Sequence, residues 1–346
     1  MRKFGVGFIA SGPVAQSIHI PTVRHYANRL AIAHVMDIDS GLAESLASQH
    51  GAKWSVDEDE LINDPAVDIV VVGSPNQHHA RQVIKACEAG KRLVLAEKPL
   101  ATSPEELDAI RVAAEKSGTH IVVGAMHAFD TAFLEALDYW KSLNVHVDSI
   151  EVSCYIPDNN EFVSLATELI APTRVSSANQ SASKPVTSLS DASQIANGIL
   201  GLAMHDIPLI REFSTQRPTL DSATFLEPFG YLLHGTVGDA TMRITGWLPG
   251  AWEPRWTFKA VATEATFAIV FPPSYVLAGS ATVSVSTQTE TRVFSNNLSA
   301  YEAEWEEIIS LAAGEGSPRY SLERIAADTE FAMALIAQLE IIGVTK

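Results

Sequence analysis

Near its start the chain reads FGVGFIASGPVA, residues 4–15, an apolar run followed at once by a turn that contains glycine. The run predicts a buried first strand over residues 4–9. The turn follows the dinucleotide-binding pattern G-x-G-x-x-G/A with one substitution, because Ala10 occupies the first glycine position, Gly12 the second and Ala15 the third. We therefore expect a parallel α/β nucleotide-binding domain, in which Ala10 is tolerated if its backbone is not left-handed.

Gly12 is the residue of this turn that matters most for binding. Without a side chain there, backbone N–H groups at the start of the next helix can approach a pyrophosphate, and the helix dipole favours its negative charge. A second apolar run ends in Asp37, near the distance expected of the carboxylate that binds a ribose 2′-hydroxyl. An acid there repels a 2′-phosphate, so NAD is favoured over NADP. The alternative is that Asp37 serves only turn formation, with Ser40 capping the following helix.

A second signal is the apolar run of residues 93–96, which ends in Glu97, Lys98 and Pro99. In open parallel sheets, ligands bind at the carboxyl ends of the strands, so Lys98 is placed for chemistry or cofactor contact. The alternative is a surface lysine whose ammonium group reaches solvent. A tight exit from the strand also favours a cis Lys98–Pro99 bond, since only X–Pro bonds adopt cis readily.

Composition excludes several classes of function. The chain has 346 residues, of which 47% are hydrophobic, and this is enough for two cores. A net charge of −17 argues against nucleic acid or an anionic membrane as partner and favours a small-molecule ligand. Cys87 and Cys154 offer neither a disulfide framework nor zinc spacing, so we expect no metal site and a cytoplasmic location. We find neither a membrane-spanning stretch nor a signal-peptide cleavage pattern.

The predicted elements change character near residue 125. Before it, strands and helices alternate as in a doubly wound parallel sheet. After it, runs such as residues 256–261 alternate apolar and polar residues, which predicts a large open, mainly antiparallel sheet. We therefore predict a domain over residues 1–125 and an α+β domain over residues 126–346, with C-terminal helices able to pack back on the first. The serine-rich residues 176–193 are either a surface loop or a lid.

The order of these motifs resembles the Gfo/Idh/MocA oxidoreductases, the group of glucose-fructose oxidoreductase and inositol dehydrogenase. The resemblance rests on the glycine turn, Asp37, GSPNQHH at residues 73–79, EKP at residues 97–99 and a late His205. It implies a nucleotide-binding domain followed by a domain with an open sheet that often mediates oligomerisation, so we expect a homodimer or homotetramer. It also implies hydride transfer between a nicotinamide and a sugar, polyol or related carbonyl compound.

By that resemblance, the cofactor and substrate contacts fall on several separate segments. Pro13 and Val14 join Gly12 at the pyrophosphate, and Asp37 binds the adenosine ribose. Glu97 and Lys98 flank the nicotinamide and the substrate. The other residues assigned to the cofactor site are Ala10, Ser74, Pro75, Asn76 and His79. The alternative for His78 and His79 is that they are surface histidines at the start of a helix.

The second domain departs from the family pattern around His205. Relatives carry an aspartate four residues before this histidine, where Gly201 stands here, and often another three residues after it, where Pro208 stands. Pro208 is expected to bend the helix. Asp206 points about 100° away on a regular helix, so it cannot simply replace the missing acid.

A further departure lies at residues 126–130, which resemble an inositol-dehydrogenase segment. Two arginines of that segment are replaced here by His127 and Ala128. A substrate with different charge or hydroxyl placement is implied, and His127 and Asp206 are the candidates for binding it.

Three functions therefore remain open. The first is an NAD-dependent dehydrogenase or reductase in which Lys98 polarises the reacting oxygen and His205 is the acid/base. The second is an NAD-binding sensor or co-regulator that has lost the catalytic acid. The third is a glycosidase-type enzyme that uses NAD transiently, without net redox turnover. The presence of Lys98 and His205 favours the first over the second.

Overall fold

The computed structural model describes residues 2–173, 189–248 and 254–346. The chain forms two compact units, each assembled from three separate stretches. The first unit comprises Met1–Gly124, Val163–Leu189 and Trp305–Arg324. The second comprises Ala125–Phe162, Ser190–Glu304 and Ile325–Lys346. Most of the serine-rich stretch predicted as a loop or lid lies outside the described residues.

The first unit is built on a six-stranded parallel sheet. Its strands are β1 Phe4–Ile9, β2 Leu30–Met36, β3 Lys53–Ser55, β4 Ile69–Val72, β5 Leu93–Ala96 and β6 His120–Val123. Their order is β3-β2-β1-β4-β5-β6, and every neighbouring pair is parallel. β4 and β5 are buried along their whole length, as continuous apolar runs are in parallel sheets. The strand order reverses between β1 and β4, so the crevice at their carboxyl ends is the expected ligand position.

Capping residues define where the helices of this unit begin. The helices are α1 Ile20–His25, α2 Ser40–His50, α3 Glu58–Ile62, α4 His79–Glu88 and α5 Pro104–Ser117. Ser103 caps α5, because its Oγ accepts from the Glu106 N–H at 3.2 Å. The predicted cap of α2 is wrong. Asp39 lies in extended backbone and its Oδ1 accepts from the Leu42 N–H at 3.0 Å, so Asp39 rather than Ser40 is the cap.

The second unit contains a nine-stranded sheet. Its strands are β7 Ser149–Tyr155, β8 Pro218–Phe225, β9 Phe229–Val237, β10 Ala240–Leu248, β11 Arg255–Val261, β12 Ala265–Phe271, β13 Thr282–Thr287, β14 Thr291–Phe294 and β15 Val344–Thr345. The order is β14-β13-β12-β11-β7-β10-β9-β8-β15. Only the β7–β10 and β8–β15 pairs are parallel among the described strands of this sheet. The predicted fold class, a doubly wound parallel sheet followed by a mainly antiparallel open sheet, is confirmed.

The two faces of the second sheet differ as the alternation predicts. In β11, Trp256, Phe258 and Ala260 are buried, whereas Arg255 and Lys259 are exposed. The remaining helices in the part of the chain that the structure describes are α6 Thr131–Leu143, α7 Asn159–Ala166, α8 Asp191–Gly201, α9 Ile207–Phe213, α10 Ala300–Ala313 and α11 Leu322–Ile342. None of the helices in the described ranges is both long enough and apolar enough to cross a bilayer.

Candidate functional site

The turn after β1 begins with a left-handed residue. Ala10 has a φ of 67°, and its N–H donates to Met36 O at 2.9 Å. The expectation that Ala10 avoids the left-handed region is wrong, because the turn keeps the backbone that glycine adopts readily. For alanine this conformation costs roughly 1–2 kcal/mol. The turn therefore forms against a local steric cost.

Helical structure starts directly after Gly12. Pro13 and Val14 lead through a π turn, Ala15–His19, into α1. Pro13 suits the first helical position because no N–H is needed there. Among the described residues, no atom lies within 4 Å of the position that a Cβ on Gly12 would take. Open space beside a helix start with outward-facing N–H groups suits an anionic ligand group.

The Asp37 carboxylate joins the turns that follow β1 and β2. Its Oδ2 accepts from the Ser11 N–H at 2.8 Å, and its Oδ1 accepts from the Asp39 N–H at 3.0 Å. Asp37 is half-buried. Each carboxylate oxygen has a second lone pair, so the group can still accept from a ribose hydroxyl while it stabilises the turns. The structure therefore supports the turn role directly and leaves the ribose role compatible with it.

A segment from much later in the chain lies against the same turn. The Gln16 side chain donates to Ser11 O at 2.8 Å and accepts from the Ile170 N–H at 2.8 Å. Thr173 Oγ1 donates to Asp39 Oδ1 at 2.5 Å. No local sequence pattern predicts these contacts, because the partners are 154 and 134 residues apart.

The residues after β4 divide into exposed and buried positions. Pro75 and Asn76 are exposed, where a ligand can reach them. Ser74 Oγ donates to Gln82 Oε1 at 2.5 Å. His79 is buried, with Nδ1 at 2.7 Å from Pro99 O and Nε2 at 2.6 Å from Ser74 O. Carbonyl oxygens only accept, so both contacts are satisfied together only when both ring nitrogens carry a proton.

His79 links two turns of the first unit through its ring nitrogens. Nδ1 lies near Pro99 O and Nε2 near Ser74 O, so the ring clamps the turn after β4 to the turn after β5. The alternative that His79 is a surface histidine is wrong, since it is 1% exposed. His78 is half-buried at the end of a short 3-10 turn.

Glu97 and Lys98 follow the carboxyl end of β5, as the sequence predicts. The Lys98–Pro99 bond is cis, which confirms the prediction. Burial lowers the pKa of Lys98, and the neighbouring Glu97 carboxylate partly offsets this. Burial opposes the charge of Glu97, but the hydrogen bond with His19, at 2.9 Å, and the attraction of neighbouring basic groups together outweigh burial, so the pKa of Glu97 is lowered. The Glu97 carboxylate and the Lys98 amine follow one another at this strand end, and each acts on the pKa of the other.

The second unit gathers His127, His205, Asp206 and Trp256 into one aromatic and acidic cluster. The His127 ring is 5.7 Å from His205 and 4.7 Å from Trp256 between centroids, and it stacks on Phe271 at 3.7 Å. Asp206 Oδ1 accepts from the Trp256 indole N–H at 2.9 Å and lies 3.7 Å from His127 Nδ1. Burial raises the pKa of Asp206, although His127 and the Trp256 N–H act against this.

The backbone around His205 is not a regular helix. His205 ends a 3-10 turn, Ala203–His205, and Asp206 precedes α9. Asp206 follows this 3-10 turn and does not lie on a regular helix, and its carboxylate lies beside His127 and Trp256. Pro208 does not bend a helix either, since it lies in the first turn of α9, where its missing N–H is not needed.

Burial also bears on which residues of this cluster a substrate can reach. His127 and Asp206 are 4% and 1% exposed, so direct binding of substrate by these two residues is not supported. His205 is half-buried and is the histidine of the cluster that presents surface.

Within each unit, the predicted residues thus come together as groups. The first unit brings together Ala10, Gly12 and Asp37 at the ends of β1 and β2, and Ser74, Glu97 and Lys98 at the ends of β4 and β5. Sequence reasoning did not identify His19, Trp256 or Trp305 as members of a site. In the ranges that the structure describes, no group of three or more His, Cys, Asp or Glu side chains is arranged to hold a metal ion.

The amino-terminal part of the chain matches a known family. The match is to the oxidoreductase family with an NAD-binding Rossmann fold and covers residues 4–125. The chain is 39% identical over 97 residues to scyllo-inositol 2-dehydrogenase (NAD(+)) of Bacillus subtilis, which is 28% of each protein. It is 37% identical over 131 residues to inositol 2-dehydrogenase 3 of Saccharopolyspora erythraea, 38% of each. These matches span only about a quarter to two fifths of the curated relatives.

Solved structures resemble the chain over nearly its whole length. A 3-ketoreductase of Actinomadura kijaniata, crystallised with NADP and TDP-benzene, has a TM-score of 0.73 at 16% identity, covering 99% of this chain and 98% of that one. An NAD binding oxidoreductase of Klebsiella pneumoniae has a TM-score of 0.74 at 17% identity, covering 98% of both. At such low identity these likenesses show the fold alone. Residues 4–125, which contain the parallel sheet and the nucleotide turn, therefore match the oxidoreductase family with an NAD-binding Rossmann fold.

Proposed function

We propose that the protein is a nicotinamide-dependent oxidoreductase that transfers a hydride between NAD(H) and a sugar, polyol or related hydroxy or keto compound. The observation that carries this proposal is the group of residues at the carboxyl ends of β1, β2 and β5. An open Gly12 lies beside a helix start, and Asp37 and Lys98 follow β2 and β5. The relatives named as inositol 2-dehydrogenases and the 3-ketoreductase support the same class of reaction.

The residues of the first unit fit a dinucleotide in three respects. The left-handed Ala10 forms the required turn, Gly12 leaves room for backbone approach, and Asp37 offers a carboxylate for a ribose diol. Pro13 and Val14 start the helix whose N–H groups would hold the pyrophosphate. The nicotinamide, when bound, supplies the chemistry of accepting or donating a hydride.

Lys98 and His205 are the proposed catalytic residues. Lys98 would hold and polarise the reacting oxygen with its ammonium group, and His205 would exchange the substrate proton. We expect Lys98→Met to abolish hydride transfer while NAD affinity stays largely intact, because the pyrophosphate and ribose contacts lie elsewhere. We expect His205→Asn to slow turnover by roughly 10²- to 10⁴-fold and to alter its pH profile.

Cofactor preference tests the role of Asp37. A carboxylate that accepts from a ribose diol repels a 2′-phosphate, so NAD should bind more tightly than NADP. The 3-ketoreductase of similar fold was crystallised with NADP, so the fold itself does not decide between the two cofactors. Calorimetric titration of both cofactors into wild type and Asp37→Ala measures it. Equal affinities, or an unchanged preference in the variant, would contradict the assignment.

A panel of sugars, polyols and their ketones, screened by NADH absorbance with NAD and NADP, tests the reaction itself. Turnover that requires Lys98 supports the dehydrogenase. Tight NAD binding without redox turnover by wild type or any variant would favour a sensor, and substrate conversion without net NADH would favour transient use of NAD.

Gly201→Asp separates a weakened enzyme from a dedicated one. Apart from its own helix backbone, no described atom lies within 4 Å of a Cβ at Gly201, so the variant meets open space where its side chain begins. A gain in activity would indicate that a catalytic acid has been lost. No gain indicates a site built for another substrate.

A further inference from the structure

A tryptophan fixes the tautomer of a buried histidine beside the proposed nicotinamide site. The Trp305 indole N–H donates to His19 Nδ1 at 3.2 Å, and the rings meet edge to face with centroids 5.9 Å apart. His19 and Trp305 are 2% and 0% exposed. An indole nitrogen only donates, so Nδ1 must offer its lone pair. The single ring proton of His19 is therefore on Nε2.

The other ring nitrogen of His19, Nε2, is hydrogen-bonded to the Glu97 carboxylate. His19 Nε2 lies 2.9 Å from Glu97 Oε1, and because Nε2 carries the proton it donates to the carboxylate. Glu97 also packs against the end of β6. A Cβ on Gly124 would lie 3.0 Å from Glu97 Oε1, so the carboxylate lies close against backbone on that side. His19 and Gly124 together restrict where the Glu97 carboxylate can be.

The charge of Glu97 acts on Lys98. Burial lowers the pKa of Lys98, and the attraction of the Glu97 carboxylate opposes this effect. The titratable groups that face Glu97 include His19 from the helix after the nucleotide turn, His79 from α4 and Lys98 itself. A second proton on His19 would neutralise Glu97 locally and weaken its support of Lys98. The Trp305 N–H prevents this, because it occupies the nitrogen that such a proton needs.

We propose that Trp305 and His19 are positioning residues for Lys98, which keep the Glu97 carboxylate ionised and in place so that Lys98 retains its ammonium proton. The inference rests on the proposed function, because it is the ammonium group of Lys98 that is proposed to meet the substrate oxygen. Trp305 acts here through hydrogen bonding and not merely by filling space.

Trp305→Phe tests this, because it removes the N–H donor and keeps an aromatic ring. Trp140→Phe is the matched control, since Trp140 is also buried, at 5% exposed, and packs against Phe213 and Phe267 in the second unit. Two-bond ¹H–¹⁵N spectra, assigned with a His19→Gln variant, report the His19 tautomer. We expect His19 to be in the Nε2–H form in wild type and in Trp140→Phe. In Trp305→Phe we expect an additional form of His19, either the Nδ1–H tautomer or the doubly protonated ring.

The state of Lys98 is measured by its reaction with acetic anhydride across pH, quantified by mass spectrometry. We expect the labelling midpoint to move to lower pH by about one unit in Glu97→Gln, and in the same direction in Trp305→Phe and His19→Leu. His19→Gln, which keeps a donor for Glu97, should restore most of the wild-type midpoint.

NADH titration by fluorescence in the same variants distinguishes failure of the proposed function from failure of the proposed positioning role. If wild type does not bind NADH, the proposed function fails while the tautomer and labelling results still stand. If NADH binds normally and Trp305→Phe leaves both the His19 spectrum and the Lys98 midpoint at wild-type values, the positioning role is wrong. The Nδ1–H tautomer or a doubly protonated ring in wild type would also overturn it.

Discussion

Ala10 shows how a single residue can carry a steric cost in the nucleotide turn. At a φ of 67° its Cβ is crowded by backbone, which glycine avoids. We expect Ala10→Gly to raise the free energy of unfolding by up to about 1 kcal/mol, since relief of strain exceeds the added freedom of glycine in the unfolded chain. Urea unfolding of both proteins measures the difference. Ala10→Val should lower stability, and a stabilised valine variant would contradict the interpretation.

Asp64 provides a prediction of pH dependence. Its carboxylate is 2.9 Å from Lys53 Nζ and 3.1 Å from His34 Nδ1, and it accepts from the Ala66 N–H at 2.9 Å. Burial opposes the charge, but these three contacts outweigh it and lower the pKa to about 2. Because the pKa is depressed on folding, the stabilisation is complete above the unfolded-state pKa and is lost as pH falls towards 2.

We therefore expect Asp64→Asn to lower the free energy of unfolding by about 2 kcal/mol at pH 7. The difference from wild type should shrink between about pH 4 and pH 2. Urea titrations at several pH values measure it, with the exposed Asp108→Asn as control. A difference that stays constant down to pH 2 would exclude the ionised carboxylate as the cause.

At the residue scale, sequence reasoning succeeds where a motif is local. Gly12, Asp37, Glu97 and Lys98 lie at strand ends that the apolar runs predict. His19 and Trp305 could not be paired in advance, because they are 286 residues apart and only tertiary packing brings them together. The left-handed backbone of Ala10 could not be predicted from its residue type, because alanine disfavours that conformation and the turn imposes it.

At the scale of single elements, β1 is constrained by close packing. A Cβ on Gly5 would lie 1.7 Å from Ala66 O, a backbone atom that cannot simply turn away. We expect Gly5→Ala to destabilise the protein by about 3 kcal/mol, at the upper end of usual overpacking costs. Gly12→Ala is the matched comparison, with open space at its Cβ. Gly12→Ala should leave thermal stability nearly unchanged and weaken NAD binding. If Gly5→Ala and Gly12→Ala were equally stable, the predicted clash at Gly5 would have to be relieved in the folded protein.

The strands that sequence patterns predict are those with uninterrupted apolar or alternating runs, such as β4, β5 and β11. β8 and β9 were not predicted, since β8 begins with Pro218 and β9 contains Gly230 and Gly235. Gly235 is required by packing, because a Cβ there would lie 1.9 Å from Thr219 O. Glycine has a low strand propensity, so the sequence pattern does not predict a strand here. The neighbouring strand nevertheless lies so close that a side chain would not fit.

At the scale of the whole molecule, the open face of the second sheet is the expected interface between copies. Val270 of β12 is 56% exposed and is paired with Thr257 and Thr282 on the neighbouring strands. We expect a homodimer or homotetramer that buries this face. Light scattering over a concentration series measures it. Val270→Glu should weaken association, whereas Val112→Glu, at a 65% exposed position on α5, should not. A strict monomer at high concentration would contradict the prediction.

The assembly of the first unit from three stretches has a consequence for synthesis on the ribosome. The six parallel strands are complete at residue 123, but the unit is closed only by Trp305–Arg324. The intervening stretch of about 200 residues takes roughly 10 to 40 s to translate at usual rates. During that interval the nascent sheet lacks the indole that orients His19, so we expect chaperones to meet this domain in an unfinished state, although it is the first to emerge.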